Sequence, residues 1–411
     1  MRPLPHGSRR LLLAAITALT LPLGLSLQSP TAASSVVVDE AFAVPPSASI
    51  TLTGHGYGHG HGMSQYGAEG AARAGLGYRD IVGFYYAGTE WGTASGPIKV
   101  LVSADTTDDV VVLARQGLRV RSTATQEAWT LPANGATQWR LTAGRSGRTV
   151  VSHRSGGSAW RRLMAFAGDG EFSARRAPIA LVTPTRTVSY RGRLRAASPT
   201  PGSPARDTVN VVGLDRYLRG VVPLEIPATW SPEAVKAQAV AARSYASYER
   251  AHPRAGHYQV CDTTSCQVYG GRSAEHPASD EAVRATAGEA LTVGGQPAFT
   301  QFASSSGGWT AAGSVPYLAA REDPYDGWAG NPVHTWTKQV TDATIEAAWP
   351  RVGNVTRLVV EARDGNGEWG GRVDDLTIVG AKGSVTVSGD AVRSALGLRS
   401  TWFTVSSITA R

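Results

Sequence analysis

In the middle of the chain, short apolar runs alternate with clusters of turn residues. Four such runs, separated by Gly, Asp and Ser, are Ile98–Val102, Val110–Leu113, Leu118–Val120 and Ile179–Val182. Short runs bounded by turn residues are typical of antiparallel strands. The pattern therefore predicts a strand-rich subdomain over residues 97–206, ending in an exposed loop rich in Pro and Ser over 198–207.

On either side of this segment, apolar residues at helical spacing alternate with short apolar runs typical of strands. Val209–Val212 predicts a strand, and Ser231-Pro232 predicts a helix start, because Ser is a favoured N-cap and Pro a favoured first helical residue. Further helices are predicted at 68–74, 78–86, 280–287, 343–349 and 390–396, and further strands at 290–293, 298–304, 355–362 and 376–379. We therefore expect an α+β fold, with a core of mixed helices and strands built from residues 207–411 together with 44–96.

The first residues have the order of an export signal. Two arginines at positions 9 and 10 precede an apolar run over 11–27, and small residues follow near positions 33 and 43. This order is that of a secretory signal peptide. The alternative is a membrane anchor, for which the apolar run is short. We expect residues 1–43 to be a signal peptide and leader, the mature chain to begin near 34 or 44, and the protein to be secreted or bound to the cell wall.

Composition narrows the class of protein. The chain has 411 residues, 42% of them hydrophobic and 18% charged, with 47 glycines and a formal net charge of +8. These values exclude a disordered chain, a coiled coil and a small disulfide-dense protein. The positive charge fits a soluble exported protein or one that meets an anionic surface such as a cell wall. Nucleic-acid binding is not expected, because no basic stripe with interleaved aromatic residues is present.

The two cysteines, Cys261 and Cys266, are separated by four residues. In an oxidising compartment such a pair usually forms a local disulfide. Zinc bound by His257, Cys261 and Cys266 is the alternative, but zinc takes about four ligands and only three are visible here. The disulfide is favoured, and no metal or other cofactor is expected.

One acid in the segment 217–245 has mostly apolar neighbours. Glu225 lies among Val221, Val222, Leu224 and Ile226. Apolar surroundings favour the neutral form of a carboxyl group, and a neutral carboxylic acid is what general acid catalysis of glycoside cleavage requires. An equally weighted alternative is a carboxylate that caps the following helix or pairs with Arg219 or Lys236. A second acid, Glu233, lies in the first turn of the predicted helix and is interpreted as structural.

Four segments carry a resemblance to a known family. They are YLRGVVPLEIP at 217–227, VKAQAVAARSY at 235–245, CQVYG at 266–270 and FASSSGG at 302–308. Together they resemble the SpoIID/LytB domain (stage II sporulation protein D-like) of bacterial cell-wall proteins, over nearly the whole mature chain. The motif GHGHGMSQYGA at 58–68 normally closes this domain but opens it here. If the domain is circularly rearranged, residues 54–90 pack beside the region that follows Phe403.

The resemblance implies a peptidoglycan-related function. The founding members resemble lytic transglycosylases, and their catalytic Glu corresponds to Glu225. Hydrolytic glycosidases usually need two carboxyl groups, whereas a transglycosylase can use the muramic 6-hydroxyl as internal nucleophile and so needs one. The implied partners are peptidoglycan glycan strands and a cell-wall amidase, with no stable membrane anchor. The main alternative is a non-catalytic cell-wall-binding or amidase-enhancer protein of LytB type, and a third hypothesis is a metal-dependent hydrolase that uses His55, His59 and His61.

The predicted substrate-binding residues are polar side chains within the family segments, and each has a structural alternative. Gln238 and Tyr245 share a helix face and could instead pack in the core, and Arg243 could form a structural ion pair. Tyr269 could stack on a sugar ring, and the glycine-rich turn at 304–308 could be no more than a turn. His55 and His61 match no fixed family position and are expected to be exposed. The predicted set is Gln238, Arg243, Tyr245, Gln267, Tyr269, Ser305, Ser306, His59, Ser64 and Gln65.

Overall fold

The computed structural model of the chain describes residues 35–411, so that most of the predicted signal peptide and leader lies outside the described residues. The fold is α+β, as predicted. None of the helices in this range combines the length and apolar character needed to cross a bilayer. The α-helices are α1 Gln65–Arg73, α2 Tyr78–Tyr85, α3 Leu214–Leu218, α4 Val222–Glu225, α5 Pro232–Ala251, α6 Pro277–Ala285, α7 Asp342–Ala348 and α8 Gly389–Leu396.

The strands are many and mostly short. In chain order they are β1 Val36–Ala43, β2 Ala48–His55, β3 Met63–Ser64, β4 Glu90–Thr93, β5 Pro97–Leu101, β6 Asp109–Leu113, β7 Arg119–Ser122, β8 Ala128–Thr130, β9 Gln138–Ala143, β10 Arg148–Arg154, β11 Arg161–Ala167, β12 Gly170–Ser173, β13 Ile179–Val182, β14 Thr187–Tyr190, β15 Arg193–Ala197, β16 Asp207–Gly213, β17 Val260–Cys261, β18 Glu289–Val293, β19 Gln296–Pro297, β20 Phe302–Ala303, β21 Trp309–Thr310, β22 Arg321–Glu322, β23 Thr335–Thr341, β24 Val355–Arg363, β25 Val373–Gly380, β26 Gly383–Ser388 and β27 Phe403–Ala410.

Two large sheets contain most of the predicted strand-rich segment. A six-stranded sheet has the order β11-β10-β9-β6-β13-β14, and a seven-stranded sheet has the order β17-β5-β16-β15-β12-β7-β8. Alternate residues of both sheets, such as Val110, Val112 and Trp139 of one and Val120 and Phe172 of the other, belong to a single hydrophobic core. The alternation that predicts strands thus also buries one face of each sheet.

The seven-stranded sheet crosses the boundary predicted at residue 206. Its strand β16, just after that boundary, pairs with β15 before it and with β5 on its other side. The hydrophobic core of the two sheets also includes Val235 and Ala239 of helix α5. The strand-rich segment therefore shares a sheet and a core with the helical part of the chain.

Helix α5 is buried on nearly all sides and separates two hydrophobic cores. Val235, Ala239 and Ala242 face the core of the large sheets, whereas Ala237 and Val240 face a second core that includes Met63 and Tyr85. A helix that is apolar all round is typically buried. The small alanine side chains allow α1, α2 and α6 to pack closely against it.

The strand just before the N-terminal motif (residues 58–68) pairs with the last strand of the chain, so that the start of the predicted segment 54–90 lies beside Phe403. Strand β2 lies between β23 and β27, with Gly54 opposite Phe403 in antiparallel register. Strand β3 then pairs in parallel with β20. The strand predicted over 298–304 is too long, because only Phe302–Ala303 is extended in a ladder there.

Strand β1 lies inside the predicted leader. It forms the edge of the sheet β1-β24-β25-β26, and it pairs with β24 from Val36 to Ala43. A mature chain that begins near residue 34 retains this strand, whereas one that begins at residue 44 loses it.

The pairing of β2 with β27 predicts that the N-terminal segment contributes to the stability of the whole unit. Leu52 of β2 is 2% exposed and lies in the core of this region. Replacing a buried Leu by Ala removes contacts and leaves a cavity, so we expect Leu52→Ala to lower the free energy of unfolding by about 2–5 kcal/mol. The matched control is Leu163→Ala, because Leu163 is 41% exposed. Urea unfolding measures both changes, and equal losses would contradict the assigned packing.

Candidate active site

Glu225 opens into a groove of about 390 Å³. The groove is formed by the N-terminal motif, the end of α4, helix α5, the loop between Cys261 and Cys266 (the cysteine loop) and the segment before Ser305. Glu225 is the single acid among the residues that line it, and the others are Gly58, His59, Gln65, Tyr245, Thr264, Ser265, Cys266, Val268, Gln301, Phe302, Ala303 and Ser304.

Glu225 is half-buried at the last residue of the one-turn helix α4. Its Oε1 accepts a hydrogen bond from the backbone N–H of Val268 at 3.0 Å, and its carboxyl group also interacts with the side chain of Gln65. Burial raises the pKa of Glu225 to about 7, although both hydrogen bonds act in the opposite direction. Glu225 therefore stays protonated to a much higher pH than an exposed Glu does.

The two cations proposed as alternative partners of Glu225 are engaged elsewhere. Arg219 lies 3.7 Å from Asp280, and Lys236 lies 2.6 Å from Glu233. Glu233 also accepts a hydrogen bond from the backbone N–H of Tyr78 at 2.8 Å, which agrees with a structural role. The carboxyl group of Glu225 is thus not paired with either of these cations.

Three of the predicted substrate-binding residues line the groove with Glu225. They are Gln65, Tyr245 and His59. Tyr245 stacks on Phe299 with a centroid distance of 5.6 Å, which fixes its ring at the groove wall. Burial lowers the pKa of His59 to about 3, so that its imidazole is neutral, and its Nδ1 accepts a hydrogen bond from the backbone N–H of His61 at 3.0 Å.

The glycines of the N-terminal motif bring its backbone close to the opposite wall of the groove. Gly56, Gly58, Gly60 and Gly62 all have positive φ, which favours glycine. A Cβ atom at position 62 would lie 2.0 Å from the carbonyl oxygen of Gln301. A larger residue there would push this part of the wall away.

Two predicted substrate-binding residues of helix α5 do not reach the groove, and the structure corrects both assignments. Gln238 is fully buried. Arg243 is fully buried as well, with its Nε 2.9 Å from Asp215 and its Nη1 donating to the carbonyl oxygen of Glu289 at 3.0 Å. The guanidinium of Arg243 therefore joins α5 to α3 and β18, as the structural alternative predicts.

Gln267 and Tyr269 likewise lie behind the groove wall rather than in the groove. The Tyr217 hydroxyl donates to Oε1 of Gln267 at 3.1 Å, and the Tyr269 hydroxyl donates to Oδ1 of Asn210 at 2.7 Å. Both side chains are at least 95% buried. Their alternation with Val268 explains this placement, because Val268 faces the groove and its neighbours face inward. They fix the segment that donates the hydrogen bond to Glu225.

Three predicted serines donate hydrogen bonds to two buried carboxylates and do not line the groove. Ser64 and Ser305 donate to the two oxygens of Asp326 at 2.6 and 2.8 Å, and Ser306 donates to Asp323 at 2.8 Å. All three serines are at least 98% buried. Substrate binding is thus corrected to a structural role for Ser64, Ser305 and Ser306.

Asp326 is the centre of this buried network. Its carboxylate also accepts hydrogen bonds from the backbone N–H groups of Ser306 and Gly307, at 3.0 Å each, from Nδ2 of Asn331 at 3.0 Å and from His334 at 2.8 Å. Burial alone would raise the pKa of Asp326, but the hydrogen bonds outweigh it and hold the pKa below its usual value. Asp326 is therefore ionised at neutral pH.

Asp323 lies beside this network, and its pKa is shifted in the opposite direction to that of Asp326. Its carboxylate accepts hydrogen bonds from Ser306 and from the hydroxyl of Tyr85 at 2.9 Å. Burial and the nearby charge of Asp326 raise the pKa of Asp323 to about 6. Tyr85 belongs to α2, so the network also ties that helix to the segment around residue 323.

The cysteine loop forms the rim of the groove. Cys261 and Cys266 form a disulfide with a Cα–Cα distance of 5.5 Å, and Thr264, Ser265 and Cys266 line the groove. Nε2 of His257 lies 2.6 Å from Asp207, so this histidine is engaged with a carboxylate. Within residues 35–411, no group of three or more His, Cys, Asp and Glu side chains is arranged to hold a metal ion.

The expected exposure of His55 and His61 is wrong. His55 is 9% exposed, with Nε2 3.0 Å from Glu368 and its ring between Trp369 and Trp402. His61 is half-buried and stacks on His59 with a centroid distance of 4.9 Å. The aromatic neighbours of His55 come from the far end of the chain, which a local sequence pattern does not reveal.

Several residues that line the groove lie next to predicted positions but are not in the predicted set. Gln301, Phe302 and Ser304 line the groove, whereas the predicted Ser305 and Ser306 face inward. Phe302 and Ser304 could have been inferred, because both belong to the family segment at 302–308. Thr264 and Ser265 also line the groove and could have been inferred from the disulfide loop.

Comparisons with known proteins agree with the sequence resemblance. Residues 203–293 match the family model described as SpoIID, stage II sporulation protein. The amidase enhancer of Bacillus subtilis (strain 168) is 42% identical over 120 residues, covering 27% of this chain and 16% of that protein. Stage II sporulation protein D of the same strain is 31% identical over 230 residues, covering 48% of this chain and 62% of that protein.

A second stage II sporulation protein D gives a similar result. The protein of Bacillus amyloliquefaciens is 31% identical over 220 residues, covering 48% of this chain and 61% of that protein. The chain thus spans about three fifths of the sporulation proteins and about one sixth of the amidase enhancer.

The Asp326 network yields a stability prediction. Asp326→Asn removes the charge that six donor groups surround and leaves some of them unpaired, so we expect a loss of about 3–5 kcal/mol in the free energy of unfolding. The control is Asp390→Asn in the first turn of α8, because the side chain of Asp390 is 79% exposed. We expect that control to lose less than about 1 kcal/mol. Urea unfolding at pH 7 measures both, and a similar small loss for the two variants would refute the central role of Asp326.

Proposed function

We propose that this chain, a member of the SpoIID/LytB family, is a secreted enzyme that cleaves the glycan strands of peptidoglycan by lytic transglycosylation. The observation that carries the proposal is a single half-buried carboxyl group in an open groove, with a pKa raised to about 7. An acid with its pKa near the working pH can both donate and accept a proton.

Glu225 acts first as the acid. Its protonated carboxyl group donates a proton to the oxygen that bridges two sugars, and the bond between that oxygen and C1 of the muramic acid breaks. The leaving sugar departs with a new hydroxyl group. Positive charge develops at C1, and the Glu225 carboxylate formed in this step stabilises it.

Glu225 then acts as the base. The C6 hydroxyl group of the same muramic acid attacks C1, and its proton returns to the carboxylate. The product is a 1,6-anhydro sugar, no water is consumed, and Glu225 regains its starting protonation state. Because the nucleophile belongs to the substrate, one acid is sufficient, in contrast to the two that hydrolytic glycosidases generally use.

The other groove residues bind and orient the strand. Gln65 and Gln301 offer amide groups to sugar hydroxyls, and Tyr245 offers a fixed aromatic ring. The backbone N–H of Val268 holds the carboxyl group of Glu225 in place through Oε1. Nδ1 of the neutral His59 imidazole already accepts from the backbone N–H of His61, so the ring proton is on Nε2, which can donate a hydrogen bond to a sugar oxygen.

A second candidate function is non-catalytic binding to the cell wall with enhancement of an amidase. It is favoured by the similarity to a protein named amidase enhancer. In this case the groove binds the glycan without cleaving it, Glu225 only fixes the segment at Val268, and a cell-wall amidase is the partner.

The Glu225→Gln variant distinguishes the two functions. Because Gln cannot donate or accept the catalytic proton, we expect the yield of 1,6-anhydro-muramic products from purified glycan strands to fall by about 10²–10⁴-fold. The control is Glu281→Gln, because Glu281 lies on α6 with its side chain 60% exposed. Mass spectrometry of the products measures the yield, and a pull-down with glycan strands measures binding. Unchanged cleavage by the Gln variant would refute the role of Glu225, and binding without cleavage by the unmodified protein would refute the enzymatic function and favour the second one.

The pH dependence follows from the direction of the pKa shift. The acid step needs protonated Glu225, and the pKa is raised to about 7. We therefore expect the initial rate of cleavage to fall as the pH rises through about 7, where an unshifted Glu would already have lost its activity near pH 4.5. A rate that has already fallen to half of its maximum by pH 5 would contradict the proposed environment of Glu225.

A further inference from the structure

Positive charge is concentrated in one part of the chain. Residues 97–206 contain 17 Lys and Arg against 6 Asp and Glu, a surplus of 11 positive charges, although the whole chain has a net charge of only +8. The rest of the chain is therefore slightly acidic. This strand-rich segment does not line the Glu225 groove.

Part of this charge surrounds a separate groove of about 660 Å³. Arg145, Arg148 and Arg162 line it, and no acidic residue does. Arg145 lies in the turn between β9 and β10, Arg148 begins β10, and Arg162 lies on the adjacent edge strand β11. We call this groove, defined by these three arginines, the arginine groove.

The three arginines are exposed and have no ion-pair partner among residues 35–411, in contrast to arginines on the neighbouring sheet. There, Arg121, Arg193 and Arg195 all surround the buried carboxylate of Glu171, at 2.5, 2.9 and 2.6 Å. Within the arginine groove, the side chain of Arg148 donates to the carbonyl oxygen of Ala165 at 2.7 Å. Like charges that are held together without a counter-ion favour an anionic ligand.

We propose that the arginine groove binds an anionic polymer of the cell envelope whose charges are phosphate or carboxylate groups. Guanidinium groups bind both kinds of oxyanion with paired hydrogen bonds. Three arginines along one groove fit a ligand with several spaced charges better than a small ion. Ser146 and Ser203 add hydroxyl donors to the lining.

The lining of the arginine groove does not favour a nucleic acid. It consists of Arg, Gly, Ser, Ala, Val and Pro, with no aromatic side chain. Proteins that bind single strands stack bases on aromatic rings. The groove instead suits a polymer without bases, and such binding would hold the protein at the wall independently of the Glu225 groove.

The test compares two triple variants with the same loss of charge. In one, Arg145, Arg148 and Arg162 are each replaced by Gln; in the control, the exposed Arg175, Arg176 and Arg186, which do not line the groove, are replaced by Gln. The probes are poly(glycerol phosphate), poly-glutamate and single-stranded DNA, each titrated into the full chain at 50 and 200 mM salt. Unfolding curves check that both variants remain folded.

We expect the unmodified protein to bind one of the first two polymers, and to bind it more weakly at the higher salt concentration. The groove variant should raise the Kd by at least about tenfold, and the control variant by less than about threefold. Binding of poly(glycerol phosphate) would identify phosphate as the ligand group, and binding of poly-glutamate would identify carboxylate. Equal losses in the two variants, preference for DNA, or no binding to either polymer would overturn the proposal. Because cleavage of short glycan strands uses the other groove, both triple variants should retain it if the proposed function holds.

Discussion

The groove depends on one buried carboxylate that connects distant parts of the chain. Asp326 accepts hydrogen bonds from Ser64 of the N-terminal motif, from Ser305 and the segment after it, and from His334. These groups lie up to 270 residues apart in the sequence, and Asp326 holds them together beside the groove wall. Because a buried charge without partners is costly, the network fixes the wall in one arrangement.

The same network explains how the motif can open the domain instead of closing it. The N-terminal motif enters beside the C-terminal strand through the pairing of β2 with β27. Ser64 then caps α1 and donates to Asp326, so the motif reaches its place whichever end of the chain supplies it. The hydrogen bonds to Asp326 require that these segments lie close together in the fold, and they do not depend on the order of the segments along the chain.

Two acids near the groove differ because their surroundings differ. Asp326 is surrounded by donors and stays ionised, whereas Glu225 has one backbone donor and the side chain of Gln65, which do not offset its burial. Environments that separate the pKa values of acids also separate their roles. Asp326 supports the structure, and Glu225 is available for proton transfer.

The sequence predicts the elements and the desolvated surroundings of Glu225 better than it predicts which polar residues line the groove. The burial of α5 and the strands such as Ile179–Val182 follow from local patterns of apolar residues. Polar family residues such as Ser64, Ser305 and Arg243 are structural, because a hydroxyl or guanidinium group can bind a distant acid as readily as a ligand. Neither the position of Asp326 nor the aromatic neighbours of His55 could be inferred locally, since both depend on contacts between segments far apart.

The protonation state of Glu225 is the most direct test of this account. Carbon-13 NMR titration of the Glu carboxyl carbons, with the Gln variant used to assign the signal, measures the pKa of this group in the folded protein. The account predicts a midpoint near 7 for Glu225. A midpoint near the ordinary value of about 4.5 would show that the acid is ionised at neutral pH, and it would contradict the proposed role of Glu225 as the proton donor.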